Sequence, residues 1–524
     1  MIRRSNLRRR LILGALLLLL SPANRLVLAQ QPDPRAYVRG VQHVFVDVIK
    51  KTEASVVAIA RINRHRDRNQ PDNRRRGRFF PLDRRQRNAD NKFNPESPDF
   101  IPNEFATGII ISGPIPNAGP LILTNYHVVK GGPAVGVTQG QSQNLIYVRL
   151  PNRRGFEARI FAADPRSDLA VLKPDGPQAE SLFKNVKPME LGDASAIRKG
   201  QFVVTLGNPY AIARDGSASA SWGFISNIAR FPIWSEIGET RQRISDQTAY
   251  LGTLIQVDAR LEFGTSGGAM VDLDGKLIGI TTSLAAIEGY EKSTGYAIPL
   301  DLGTRRVIDA LIRGYEVEYG FLGISPIDIL ASDLVHFSKN FEHNSAVQTM
   351  AVAGNSPASR GGLQFKDLIL SINQKPLLGR YDLMREVSLL GPGTRIDLTV
   401  WRERTRQQLN LKVTLGKWPW WDEMVDEMVA PNHRYPDWRG FQVDYLTGRR
   451  RFVRQFDTIG RYPDAVAVTQ VDVARVKGIK TGSFITHVNG QSVRTPQEFH
   501  KIASAASGDV TLKLLDGQEI VIKP

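Results

Sequence analysis

Three short segments hold residue types that together can carry out nucleophilic acyl transfer. Leu123-Thr-Asn-Tyr-His-Val-Val129 runs from a strand into a turn that holds His127. Asp164-Pro-Arg-Ser-Asp-Leu-Ala-Val-Leu172 sets Asp168 at the mouth of an apolar strand. Phe263-Gly-Thr-Ser-Gly-Gly-Ala269 centres Ser266 in a glycine-rich turn. A serine hydroxyl is a weak nucleophile until a base takes its proton, and the ordinary pKa of histidine suits that task near neutral pH. An aspartate can hold the imidazole in one tautomer and stabilise the imidazolium that forms. The glycine turn suits backbone N–H groups converging on one point, so Gly264, Thr265 and Ser266 are the expected oxyanion hole.

Taken singly, each segment has a plainer reading. A histidine beside a strand is usually structural, an aspartate after Pro-Arg-Ser usually shapes a turn, and Gly-x-Ser-Gly-Gly is often only a tight turn. Their joint occurrence, in the order His, Asp, Ser within one β-rich unit, points to a serine hydrolase. With His127 as base, the rate is expected to decline as pH falls through about 6.5.

The elements that must position these residues are mostly strands. Residues 43–60 read as a helix followed by the strand Ser55-Val-Val-Ala-Ile-Ala60, and short β-rich runs punctuated by Gly, Pro and Asp recur to about residue 300. Asp274-Gly275 between Met270-Val271 and Leu277-Ile-Gly-Ile280 predicts a hairpin with a primed turn. A helix is expected from Leu302 to Arg313. Beyond it lie two units that look like loose copies, because Phe365-Lys-Asp-Leu-Ile-Leu-Ser-Ile-Asn373 parallels Thr481-Gly-Ser-Phe-Ile-Thr-His-Val-Asn-Gly490. Repetition of this size suggests repeated binding modules. Residues 417–437, with Trp418, Trp420 and Trp421, read as an irregular connector.

Composition narrows the classes. At 524 residues several domains are expected. The absence of cysteine excludes disulfides, thiolate nucleophiles and cysteine-held metals, and the expected chemistry calls for no metal or cofactor. Residues 1–29 pair an arginine-rich start with the apolar run Leu11 to Leu20 and a small-residue site before Gln30, which reads as an export signal. A retained membrane anchor is the alternative. Setting aside the six arginines of that segment lowers the net charge from +17 to +11. Eleven arginines against four aspartates in 61–90 account for +7 of the remainder, so the rest of the chain carries only +4. The basicity is local, unlike the spread basic face of a nucleic-acid-binding protein. Residues 61–103 read as a disordered, arginine-rich loop, either merely solvated or making a weak contact with an anionic surface.

The three segments resemble the HtrA/Deg family, whose motifs are Thr-Asn-x-His-Val-Val, Ser-Asp-Leu-Ala-Val-Leu and Gly-Asn-Ser-Gly-Gly. Leu206-Gly-Asn-Pro209, Ile255-Gln-Val-Asp258 and Gly295-Tyr-Ala-Ile-Pro299 resemble framework motifs of the same protease domain. The resemblance implies a mainly β protein: a chymotrypsin-like double β-barrel protease domain followed by two PDZ-like α+β domains. The corresponding limits are a signal peptide at 1–29, the protease at 30–310, the first PDZ-like domain at 316–416, the connector at 417–437 and the second PDZ-like domain at 438–524. It also implies an exported, periplasmic, ATP-independent endopeptidase of misfolded or exposed polypeptides, assembled as a homotrimer or larger. Thr265 departs from the family's Asn but keeps the N–H that the role requires. Leu261 would line the specificity pocket, although Arg260, Glu262 and Phe263 depart from the usual neutral segment.

In the first PDZ-like copy, Tyr319, Gly320, Phe321, Leu322, Gly323 and Ile324 resemble a carboxylate-binding loop that captures peptide C-termini and adds the peptide to a strand edge. The second copy offers only Gly440-Phe-Gln-Val443 there. A different class of function, a chaperone or peptide-binding scaffold with latent or minor proteolysis, is the competing expectation.

Overall fold

Runs of β-branched residues separated by Gly, Asp and Pro favour short twisted strands, and in the computed structural model they close into two barrels. The structure describes residues 34–63, 95, 102, 104–113, 119–135, 144–151, 153–183, 186–208, 216–230, 253–282, 295–329, 332–334, 344–456 and 460–524. The export-signal segment 1–29 and almost all of the arginine-rich loop lie outside them. The chain divides into two compact units, Met1–Asp47 and Val48–Pro524. Of the first, the described residues are helical, within α1 (Pro34–Thr52).

The first barrel is closed by β1 (Val56–Asn63), β2 (Glu104–Ile111), β3 (Leu121–Asn125), β4 (Asn144–Arg149), β5 (Gly155–Asp164) and β6 (Leu169–Pro174), in the order β1-β2-β3-β6-β5-β4. Residues of β5 alternate between the barrel core and the outside, as the pleat requires, whereas all five of β3 are buried. Val57, Ile59, Ile110, Ile122, Ile146 and Leu172 fill the interior. Truncating one of these, such as Ile122 to Ala, would typically cost about 2–5 kcal/mol.

The second barrel joins β7 (Phe202–Gly207), β8 (Ser219–Arg230), β9 (Leu254–Val257), β10 (Ala269–Val271), β11 (Leu277–Thr282) and β12 (Gly295–Pro299) in the order β10-β11-β12-β9-β8-β7. Val203, Ile225, Ile255, Val257, Met270 and Ile278 form its core. The hairpin expected between β10 and β11 is present, but its turn differs. Only Gly275 takes a positive φ, at 76°, and its N–H donates to the Asp272 carbonyl. A type I′ turn needs positive φ at both central residues and a type II′ turn at the first, which Asp274 does not take; this hairpin instead closes through a longer loop ending on glycine.

The helix expected from Leu302 ends at Ile312, with the Asp301 carboxylate accepting from the Thr304 N–H as its cap. The two C-terminal units repeat one topology. β14 (Ile324–Asp328), β15 (Val347–Val352), β16 (Leu368–Ile372), β18 (Arg395–Arg402) and β19 (Gln407–Thr414) form one sheet, with the two-residue β17 (Lys375–Pro376) beside β16. β21 (Phe441–Tyr445), β22 (Val466–Val471), β23 (Phe484–Val488), β25 (Val510–Leu514) and β26 (Glu519–Ile522) repeat that order, with β24 (Gln491–Ser492) beside β23. Each unit carries one longer helix, Arg380–Leu390 and Pro496–Ala505. The repeat extends to single bonds: Asn373 and Asn489 both sit at φ 48°, and their side chains accept from the N–H groups of Asp397 and Thr511 at 3.0 and 2.8 Å. The match of Phe365–Asn373 with Thr481–Gly490 is therefore structural.

A separate two-stranded ribbon pairs β13 (Gly320–Phe321) with β20 (Gly416–Lys417). The first repeat thus reaches Lys417, one residue into the expected connector. Among the described residues no helix is long and apolar enough to cross a membrane.

Candidate active site

β3 delivers His127. It pairs with β2 and β6 at the centre of the first barrel and ends in the single helical turn α2 (Tyr126–Val129). The end of β3 is bound to the segment that carries Asp168: the Asp168 carbonyl accepts from the Tyr126 N–H at 2.9 Å and from Asn125 Nδ2 at 3.1 Å. The Asp168 carboxylate in turn accepts from the His127 N–H at 2.9 Å through Oδ1 and meets His127 Nδ1 at 2.8 Å through Oδ2. An ionised carboxylate only accepts, so Nδ1 carries the proton and Nε2 keeps its lone pair for a substrate-side proton.

Asp168 is only 3% exposed and sits at φ 54°. A non-glycine residue in that region usually carries backbone strain and persists only where its surroundings over-determine it; here four hydrogen bonds converge on it. Upstream, Asp164 shapes the same loop, its carboxylate accepting from the Ser167 N–H at 2.9 Å. The electrostatics at His127 oppose one another. Burial disfavours the imidazolium, but the charge and hydrogen bond of Asp168 outweigh it, and the His127 pKa is raised.

Ser266 comes from the second barrel, on the loop between β9 and β10, and is 3% exposed. Thr107 of β2 ties that loop to the first barrel. Its N–H donates to the Ser266 carbonyl at 2.9 Å. Its hydroxyl donates to the Gly264 carbonyl at 2.7 Å and accepts from the Asn208 N–H at 2.8 Å. Its own carbonyl accepts from the Thr124 hydroxyl at 2.8 Å, three residues before His127. The structure thus links the serine loop to the His127 strand through one threonine that sequence reasoning did not single out. Locally Thr107 is a polar residue inside the apolar run Ala106–Ile111, a mark that flags the position without naming its partners.

Within the Gly264–Thr265–Ser266 turn, the Thr265 N–H and hydroxyl both go to the Glu262 carbonyl, at 3.0 and 2.7 Å. The N–H that Thr265 retains is therefore engaged within the turn, and Gly264 and Ser266 flank it. The Thr265 carbonyl accepts from the Thr281 hydroxyl at 2.6 Å, and the Gly267 N–H donates to the Thr281 carbonyl at 2.9 Å. Gly267 has φ 79°, and a Cβ there would lie 2.2 Å from the Thr107 carbonyl oxygen and 2.3 Å from Thr124 Oγ1.

Leu261 is half-buried against the second barrel's core, where a Cβ on Gly295 would lie 2.7 Å from its side chain. Phe263 is 53% exposed.

Of the six loop residues in the first C-terminal repeat, Tyr319 is wholly buried, and its hydroxyl donates to the Asp164 carboxylate on the Asp168 loop. Gly320 and Phe321 pair with Lys417 and Gly416, and Leu322 enters the repeat's core. Gly323 turns the chain at φ 79° into Ile324, the start of β14, which is an edge strand of its sheet. In the second repeat, Phe441 is buried in an aromatic cluster with Trp438 and Phe499. Tyr435 stacks on His500, and Tyr435 and Tyr445 both bond Gln497.

Comparison with known proteins agrees with this architecture. Residues 106–280 match the trypsin-like peptidase domain family and residues 320–413 the PDZ domain family. A probable periplasmic serine endoprotease, DegP-like, of Pseudomonas fluorescens is 30% identical over 397 residues, covering 75% of this chain and 74% of that protein. One of the same description from Chlamydia muridarum is 29% identical over 419 residues, covering 79% and 73%. Among solved structures, the HtrA-type protease AlgW with tripeptide aligns over 72% of this chain and 97% of its own, at 25% identity and a TM-score of 0.47.

Proposed function

The chain belongs to the DegP-like, HtrA-type serine endoproteases, and from that premise we propose that it cleaves misfolded or exposed polypeptides by acyl-enzyme chemistry, with Ser266 as nucleophile, His127 as base and Asp168 as orienter. The observation that carries this reading is the two-point bond of the Asp168 carboxylate to His127, which leaves Nε2 as the free ring nitrogen.

Ser266 Oγ attacks the scissile carbonyl as Nε2 takes its proton. Asp168 stabilises the resulting imidazolium without itself being protonated. The N–H groups of Gly264 and Ser266 receive the oxyanion; Thr265 serves by holding the turn. One such donor typically contributes about 3–4 kcal/mol to lowering the barrier. Collapse of the tetrahedral adduct breaks the C–N bond and the imidazolium protonates the departing amine. Water then attacks the acyl-enzyme, with Nε2 again the base, and releases the new carboxylate and free Ser266. Leu261 would favour small or medium aliphatic side chains before the cleaved bond.

The domain limits proposed from sequence fit this reading, with Lys417 counted in the first PDZ-like domain. There, Gly320 to Ile324 would take a peptide C-terminus through the backbone and the β14 edge, while Tyr319 faces inward. The similarity to periplasmic serine endoproteases supports a periplasmic location, with membrane association if the leader is retained. Assembly as a homotrimer or larger is supported by an exposed aromatic face on the second barrel: Phe202, Trp222 and Phe224 lie on one β7–β8 face, with the first two ring centroids 6.1 Å apart. The arginine-rich loop 61–103 would add a weak, salt-sensitive contact with anionic surfaces.

Digestion of casein by the mature chain, beside a Ser266→Ala variant, tests the reading. Cleavage by the first and none by the second is expected. If neither cleaves even with C-terminal peptides added, the protein is a scaffold.

A further inference from the structure

The connector does more than join the two PDZ-like domains. Residues 427–429 lie against both arms of the His127–Asp168 pair. Val429 extends the first barrel at the end of β5, exchanging backbone bonds with Ala163: the Ala163 N–H donates to the Val429 carbonyl at 2.8 Å, and the Ala163 carbonyl accepts from the Val429 N–H at 3.1 Å. Ala163 leads directly into the loop 164–168. Ten residues upstream of Val429, the Pro419 carbonyl accepts from the Arg166 guanidinium, which lies 4.0 Å over the Trp420 ring. One continuous strip of connector thus grips the Asp168 loop.

Glu427, in the same strip, reaches the other arm. Its Oε2 accepts from the Tyr126 hydroxyl at 3.0 Å, and its Oε1 pairs with Lys130 Nζ at 2.6 Å. Tyr126 opens the one turn that carries His127 and Lys130 caps its far end, where the Lys130 N–H donates to the Tyr126 carbonyl at 2.9 Å. A single helical turn has almost no stability of its own, because fixing it orders several residues for one hydrogen bond. A carboxylate that bonds both ends of the turn braces it from outside. We propose that Glu427 is a positioning residue of the acid–base pair: it staples the His127 turn while Val429 fixes the Asp168 loop. Proteolytic competence thereby depends on the connector being docked. Burial and the Glu427 charge both push the Tyr126 hydroxyl pKa up, so this group remains the donor through neutral pH.

The proposal rests on His127 and Ser266 having the roles given above, so its test must fail separately from theirs. The full mature chain is reacted with an organophosphorus fluoride, which phosphorylates only a serine whose proton is being withdrawn, and turnover of a short chromogenic peptide is followed in parallel. Wild type should label at Ser266; if it does not, the catalytic assignment falls first. Given labelling, Glu427→Ala should slow both labelling and kcat about tenfold with KM little changed, the size expected of a misaligned base. Glu427 is a third exposed, so the variant should fold. Tyr126→Phe, which alters no charge, should slow both similarly, and the double variant should be no slower than the slower single. Glu427→Gln keeps an acceptor for Tyr126 and should recover most of the rate. Unchanged labelling in Glu427→Ala, or effects of the two singles that simply multiply, would overturn the staple.

Discussion

Thr107 and Ser266 are joined by a 2.9 Å backbone bond, N–H to carbonyl, across the junction of the two barrels. The same threonine's hydroxyl holds the Gly264 carbonyl and the Asn208 N–H. The serine loop is therefore fixed to the strand beside the one that delivers His127. Replacing Thr107 by Val keeps the shape and deletes the hydroxyl, stranding two buried backbone groups. Each typically costs about 1–3 kcal/mol. Expected are a lower urea midpoint and a kcat reduced more than KM is raised; unchanged kcat would remove Thr107 from the positioning of the loop.

The raised pKa of His127 moves the acid limb of the activity profile above 6.5, because the base works only when neutral. This corrects the plain expectation from an unperturbed histidine. The stability contribution has the opposite pH sense. A pKa raised on folding stabilises the native state fully below the unfolded value near 6.5, and that contribution disappears as pH rises through the folded value. Asp168→Asn removes the charge that raises the pKa, so the limb should move down while kcat falls by about 10⁴-fold. A kcat/KM profile of both forms between pH 5 and 9 checks the direction.

The residue types of the acid–base chemistry were legible in the sequence because each sits in a short motif, and the barrel strands because β-branched runs alternate with turn residues. The repeat in the C-terminal half was legible through Asn373 and Asn489, whose side chains do the same work in both copies. Thr107, Tyr126 and Glu427 were not. Their roles depend on partners 157, 301 and 301 positions away, and no local pattern encodes such pairings. Tyr319 illustrates the other failure. It belongs to a loop motif whose backbone suggests ligand binding, while its side chain faces Asp164 in the protease.

Gly267→Ala should inactivate the serine loop by a steric route. The φ of 79° disfavours any L side chain, and the new methyl would stand 2.2 Å from a backbone oxygen held in the Thr107 network. That oxygen cannot swing away as a flexible side-chain end could. Ser266 should lose its reaction with an organophosphorus fluoride, while far-ultraviolet circular dichroism changes little. Normal labelling would mean the loop relaxes around the methyl.

Lys417 is buried where the two PDZ-like domains meet, with Nζ 2.7 Å from Glu316, 3.3 Å from Glu318 and 2.9 Å from each oxygen of Asp444. Burial disfavours its charge, but the three acids outweigh this and raise its pKa. Glu316 is held down to about 2, with Lys417 and Arg449 overcoming its burial. Glu316 therefore adds stability above its unfolded pKa, and that contribution is lost as pH falls toward 2. Glu318 behaves oppositely: burial raises its pKa, so its ionisation weakens the fold near neutrality. Lys417→Met leaves these carboxylates with the outlying Arg449 and Arg434 as their ion-pair partners among the described residues. Breaking a buried charge cluster on one side typically costs about 3–5 kcal/mol. Without the ammonium the carboxylates should take up protons at higher pH, which relieves their repulsion. The thermal midpoint of the variant should therefore lie far below wild type at pH 8 and approach it at pH 5. An equal gap at both pH values would mean that the cost is packing alone, and that Lys417 does not hold the two domains together by charge.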